Sequence, residues 1–146
     1  MSHEEEKSFP KELTNKAFIQ GDVWGWKLRD ISEVVHACRE FNLAIFAGSF
    51  IVFLPQGIFD VYWLGAYPKT KMITESWAQY VERSCSEFDE FFNELMKKVN
   101  LEEEVTRIDA FIKEDWDGVN VMDCLYFELD IKSETHYLEF ISKYTQ

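Results

Sequence analysis

No basic cluster occurs anywhere in this sequence, which argues against nucleic acid as its ligand. The 146 residues carry 15 Lys and Arg against 27 Asp and Glu, a net charge of −12, and such a field repels phosphate backbones unless a concentrated basic patch offsets it. Cysteine is scarce as well. Cys38, Cys85 and Cys124 are odd in number and widely spaced, which argues against a disulfide framework and for a reduced compartment. All three read as small core residues. Of the histidines His3, His36 and His136, only His36 has a cysteine nearby, at Cys38. Residues two apart on a helix point to different sides, so no zinc site is expected.

The usual catalytic motifs are missing too. There is no G-x-S-x-G, no glycine loop for phosphate and no H-E-x-x-H, so hydrolase and kinase chemistry lose their usual support. Asp115-Trp116-Asp117-Gly118-Val119-Asn120 resembles a calcium loop, but its glycine stands fourth rather than sixth. Tyr126 occupies the twelfth position, where a bidentate Glu belongs. An acidic turn is the expectation. Neither a metal nor a cofactor is expected, and the chain reads as a non-enzyme.

Charge itself is absent over the nineteen residues between Glu40 and Asp60, long enough to be tested as a membrane span. Gly48-Ser49 and Pro55-Gln56-Gly57 interrupt the run with turn residues, and no basic cluster flanks it. Short buried strands explain it better. Met1 to Lys7 is acidic and polar with no apolar run behind it, so no secretory signal is expected and the cytoplasm is the expected location.

Nearly half of the residues, 47%, are hydrophobic, and 16% are aromatic. One core of this size is enough for one domain. Met1 to Pro10 reads as a flexible tail and residues 11–146 as a single α+β domain, an antiparallel sheet with helices packed against it. Lys11 to Ile19 is expected as a short helix and Val23 to Leu28 as a strand. Asp30 with Glu33 suggests a capping box for a helix carrying Ile31, Val34, Val35, Cys38 and Phe41. Three strands then follow, Leu43 to Ala47, Phe50 to Leu54 and Ile58 to Leu64, joined by the two turn clusters. The third sets Phe59, Val61 and Trp63 on one face and Asp60, Tyr62 and Leu64 on the other.

Ser76 and Gln79 make a second capping box, opening a helix whose Trp77, Tyr80, Val81, Cys85, Phe88 and Phe92 share a stripe. A weaker helical pattern covers Leu101 to Lys113, Asp117-Gly118 marks a turn, and Leu125, Phe127, Leu129 and Ile131 alternate as a half-buried strand. Ser133 caps a last helix.

Acidic residues crowd the second half. Met1 to Ile73 holds 9 Asp and Glu against 8 Lys and Arg, and Thr74 to Gln146 holds 18 against 7. A surface of this sign favours encounter with a cationic protein. Candidate contacts are Glu82, Asp89 and Glu90 on the outer face of the long helix, either a solvated surface or a partner-binding strip. Tyr62 and Tyr67 are either packing rings or interface anchors, since aromatic residues are enriched at binding hot spots.

Trp24-Gly25-Trp26 before a helix, a short hairpin through Ala47-Gly48, Tyr62-Trp63-Leu64, Glu75-Ser76-Trp77 and Tyr80-Val81-Glu82-Arg83-Ser84 together form a pattern. From Val23 to Leu95 the chain resembles the small immunity proteins of bacterial polymorphic toxin systems, nearest to the family called immunity protein forty. The resemblance implies a cytoplasmic inhibitor that binds a cognate toxin stoichiometrically. Such toxins include basic nucleases, whose nucleic acid an acidic surface imitates. Two alternatives stand beside it: a small enzyme with a carboxylate acid/base pair in a cleft lined by Trp24, Trp63 and Trp77, and a homo-oligomeric structural domain, a homodimer for example, that buries the surplus rings by self-association.

Overall fold

The computed structural model describes residues 9–21, 23–54, 57–112 and 121–144. The first eight residues of the expected tail, Pro55-Gln56 of the expected second turn cluster and the expected acidic turn at Asp115 to Asn120 lie outside them. The fold is α+β, one five-stranded antiparallel sheet in the order β1-β2-β5-β3-β4 with helices against it. Its strands are β1 (Phe18–Gln20), β2 (Val23–Trp26), β3 (Ala44–Leu54), β4 (Gly57–Ala66) and β5 (Leu125–Lys132). The helices are α1 (Lys11–Thr14), α2 (Ile31–Glu40), α3 (Trp77–Lys98), α4 (Leu101–Ile112) and α5 (Glu134–Tyr144).

Alternation in β5 runs as its sequence requires. Leu125, Phe127, Leu129 and Ile131 are buried toward the helices, and Tyr126, Glu128 and Asp130 point to the opposite face. The same inner face takes Phe50, Val52 and Leu54 from β3 and Trp26 from β2, and α2 and α3 cover it with Val34, Val35, Cys38, Tyr80, Cys85 and Phe88. Ser76 caps α3 as expected: its Oγ accepts from the Gln79 amide at 3.1 Å while Gln79 Oε1 accepts from the Ser76 amide at 2.8 Å. Asn42 ends the α2 region in a left-handed conformation, φ 60°.

Several expectations are corrected. The helix expected over Lys11 to Ile19 stops at Thr14, because Phe18, Ile19 and Gln20 pair instead with Gly25, Trp24 and Val23. Gly21, at φ +63°, supplies the left-handed residue that this tight connection needs. The capping box at Asp30 does not form. Asp30 belongs to a 3-10 turn, Leu28–Asp30, and makes no side-chain cap bond, while Glu33 is taken by Lys16.

Gly48-Ser49 is not a turn either. β3 runs unbroken from Ala44 to Leu54, so two long strands replace the three short ones. Gly48 is required by packing: a Cβ there would lie 2.6 Å from the Phe127 ring and 2.8 Å from Leu129. The sequence-level hairpin through Ala47-Gly48 is thus the middle of a strand.

The face turned away from α2 and α3 is partly closed by β1. Gln20 Nε2 donates to the carbonyls of Leu54 at 2.8 Å and Gly57 at 3.3 Å. Phe18 meets Phe53 and Tyr126 with ring centroids 4.8 and 5.0 Å apart. Phe53, on the outer face of β3, is thereby as buried as the main core, and Ile51 on the same face is buried too. At the far end of that face, beyond Glu128, no element among the described residues covers the sheet.

Candidate functional site

β4 is an edge strand, and it breaks register where its sequence is richest in large rings. Phe50 pairs with Val61 and Ser49 with Gly65, so Tyr62, Trp63 and Leu64 have no partners across β3. A bulge of this kind resets the alternation of side chains. Trp63, expected beside Val61, is instead 48% exposed, and Tyr62 is 67% exposed. The two rings stand edge to face at 5.3 Å, with Phe59 edge-on to Trp63 at 6.3 Å.

Tyr67 locks the bulge. Its hydroxyl donates to the Tyr62 carbonyl at 2.7 Å, and its ring lies so flat on Gly65 that a Cβ there would come within 2.5 Å of the ring carbons. Only glycine leaves room for this ring.

Behind Tyr62 and Tyr67 the open end of the sheet forms a pocket of about 300 Å³, walled by Ser49, Asp60, Glu128 and Asp130 together with Trp24. Ser49 Oγ donates to Asp60 Oδ1 at 3.2 Å. Lys132, almost fully buried, pairs with Asp130 at 3.0 Å and lies over the rings of Phe46 and Phe140. Glu128 has neither hydrogen-bond donor nor counter-ion among the described residues. Burial raises its carboxyl above the ordinary range, and the charges of Asp60 and Asp130 raise it further against an opposing pull from the positive N-terminus. Burial, with Asp60 and Glu128 nearby, likewise raises the Tyr67 phenol.

The five candidate contact residues fall into two groups. Tyr62 and Tyr67 share this pocket. Glu82 and Asp89 lie on α3 instead, where Arg39 of α2 reaches both: Nη1 to Asp89 Oδ2 at 3.0 Å, Nε to Glu82 Oε1 at 3.4 Å. They clamp the two helices together. Glu90 is exposed beside them. Sequence reasoning missed Asp60, Glu128 and Asp130 as a cluster, although their outward positions were readable from the alternation of β4 and β5. What brings them together is the neighbour relation β5-β3-β4, which no local pattern encodes.

The role of Arg83 is likewise not legible in the sequence. Its guanidinium holds Glu75 at 2.5 and 2.8 Å and Glu87 at 2.8 Å, and it donates to the carbonyls of Lys69 and Thr70. One side chain thus pins the loop between β4 and α3, with Tyr67 at its start. Trp24 lines the pocket, but Trp63 sits on the bulge and Trp77 is buried at the first turn of α3, its indole N–H donating to Asn42 O at 2.8 Å. The three tryptophans do not share a cleft.

All three cysteines are free. Burial pushes the Cys85 thiol up to about 12 and that of Cys38 well above its ordinary range, so neither is a thiolate near neutral pH. Among the described residues no group of three or more His, Cys, Asp and Glu is arranged to hold a metal ion, and no helix is long and apolar enough to cross a membrane. No protein-family model matches the chain, and no curated protein and no solved structure matches it significantly.

Proposed function

We propose that this chain is a binding protein of the toxin-immunity kind, which seats on a cognate toxin in the cytoplasm and occludes it one to one, without turnover. The bulge at Tyr62 and Trp63 carries this reading. Two large rings stand in solvent on an edge strand, and Tyr67 holds them in place. Rings presented this way serve as anchors in protein interfaces. The irregular edge discourages strand-to-strand pairing with further copies, and the net charge of −12 works against self-association as well. The acidic pocket behind the rings favours a basic partner, nucleases among them, and electrostatic steering speeds the encounter.

The test is co-expression with the cytotoxic domain of the protein encoded immediately upstream, scored by cell survival. The wild-type chain should rescue growth and Trp63→Ala should rescue it poorly. Cell death with both chains equally well expressed would sink the proposal.

One observation favours a second reading, a small acid/base enzyme: the raised carboxyl of Glu128 faces a concave pocket beside Asp60. The two readings part at Glu128→Gln. If the pocket performs chemistry, protection is lost while partner binding stays. If it only binds, both fall together.

A further inference from the structure

We propose that the partner docks through a short segment carrying one cationic and one apolar side chain, which straddle Tyr67: the cation enters the pocket of Asp60 and Glu128, and the apolar group enters the groove beside Phe91 and Leu95. This inference rests on the binding reading above and names the chemistry of the partner.

Two cavities share the Tyr67 ring as a common wall. On one side lies the acidic pocket of about 300 Å³. On the other lies a groove of about 380 Å³ between β4 and the C-terminal half of α3, floored by Gly65, Phe91 and Leu95. The first carries more acid than base: Lys132 pairs with Asp130 and the neutral Ser49 hydroxyl donates to Asp60, and among the described residues no Lys, Arg or His forms a salt bridge with Asp60 or Glu128. The second is rimmed by Glu94 and Lys98, which pair with each other at 3.2 Å. Its rim charges cancel, and apolar contact is what it offers.

Spacing between the two cavities is preset. The ring rests on Gly65, the hydroxyl is tied to Tyr62 O, and Arg83 pins the loop that follows. A wall held from three sides loses little freedom when a ligand arrives, so less binding energy is spent on ordering it. Charge complementarity selects the occupant. A second copy of this chain, also at −12, would bring acid to acid, and a phosphate-bearing ligand would be repelled; a basic protein segment suits both cavities.

The experiment is amide NMR on the full chain, titrated with N-acetyl-arginine methylamide, with N-acetyl-leucine methylamide, and with the series Ac-Arg-(Gly)n-Leu-NH2, n from one to three. The arginine amide should shift Ser49 and Glu128, and the leucine amide Gly65 and Leu95. At the best spacing the linked peptide should bind at least about tenfold more tightly than either half, because the second contact becomes intramolecular. Glu128→Gln should abolish the arginine response and spare the leucine one, with the rest of the spectrum unchanged. Gly65→Ala, which displaces the shared wall, should remove the gain from linkage.

An absent arginine response, an equal response to Ac-Glu-Gly-Leu-NH2, or no gain at any spacer length would overturn the inference. So would concentration-dependent shifts of the same amides without peptide, since these would assign the face to self-association. Rescue in the co-expression assay reads the parent proposal separately. Rescue with a silent peptide series removes only the inference, and peptide binding without rescue removes only the immunity role.

Discussion

Tyr67 donates its hydroxyl to the main-chain carbonyl of Tyr62 across 2.7 Å, closing the three-residue bulge that precedes it in the chain. The bond turns an irregular piece of edge strand into a fixed platform. Tyr67→Phe keeps the ring and removes the bond, so stability should fall by about 0.5–1.5 kcal/mol. Partner affinity should fall with it, because Tyr62 loses its orientation. Urea unfolding and calorimetric titration on the same variant check both. Unchanged affinity would show that the bond is only structural.

Trp63 separates folding from binding more cleanly. Its indole is about half exposed and stands edge to face with Phe59 and Tyr62, so Trp63→Ala should change stability by no more than about 0.5 kcal/mol. Truncation of an interface anchor costs about 2 kcal/mol or more, roughly thirty-fold in Kd. Thermal unfolding beside a binding isotherm reads both quantities. A large stability loss with intact affinity would reverse the assignment.

The pair Glu75 and Arg83 sets an acid limit on the fold. The Arg83 guanidinium, helped by the Met72 amide, holds the Glu75 carboxyl down at about 2 instead of 4.5. A depressed carboxylate stabilises the fold above its unfolded pKa, and that contribution drains away as pH falls from about 4.5 toward 2. Urea midpoints of the wild type should drop across that window. In Arg83→Met the midpoint should already be lower at pH 7 and its dependence on acid should flatten. A parallel offset at every pH would show that the ion pair is not the cause.

Glu128 has the opposite sign. Its carboxyl is raised in the fold, so the contribution present below the unfolded pKa is lost as pH rises through the folded one, and the ionised group is a burden at neutral pH. Glu128→Gln should therefore raise the thermal midpoint at pH 7 while it weakens the partner complex. A gain in stability with a loss of binding marks a residue kept for recognition. A lower midpoint would place Glu128 among the structural residues.

The parts legible in sequence were those encoded by near neighbours. Ser76 and Gln79 announced the start of α3, and the alternation of Leu125, Phe127, Leu129 and Ile131 announced β5. Gly48 misled because glycine marks both turns and close packing, and only the position of Phe127 and Leu129 decides between them. Asp30 misled because a tertiary partner, Lys16, engaged the acids of the expected cap. Tyr62 and Tyr67 could be nominated from composition. Their joining to Asp60, Glu128 and Asp130 could not, since it depends on the neighbour order of three strands and on a register break opposite Ser49.

Stoichiometry of toxin neutralisation tests the central claim most directly. With purified toxin domain at fixed concentration, added chain should quench toxic activity linearly to an end point at one equivalent, and the end point should not move with preincubation time. Inactivation that continues at a small fraction of an equivalent and deepens with time would show turnover, and would contradict an account in which this protein acts by covering its partner.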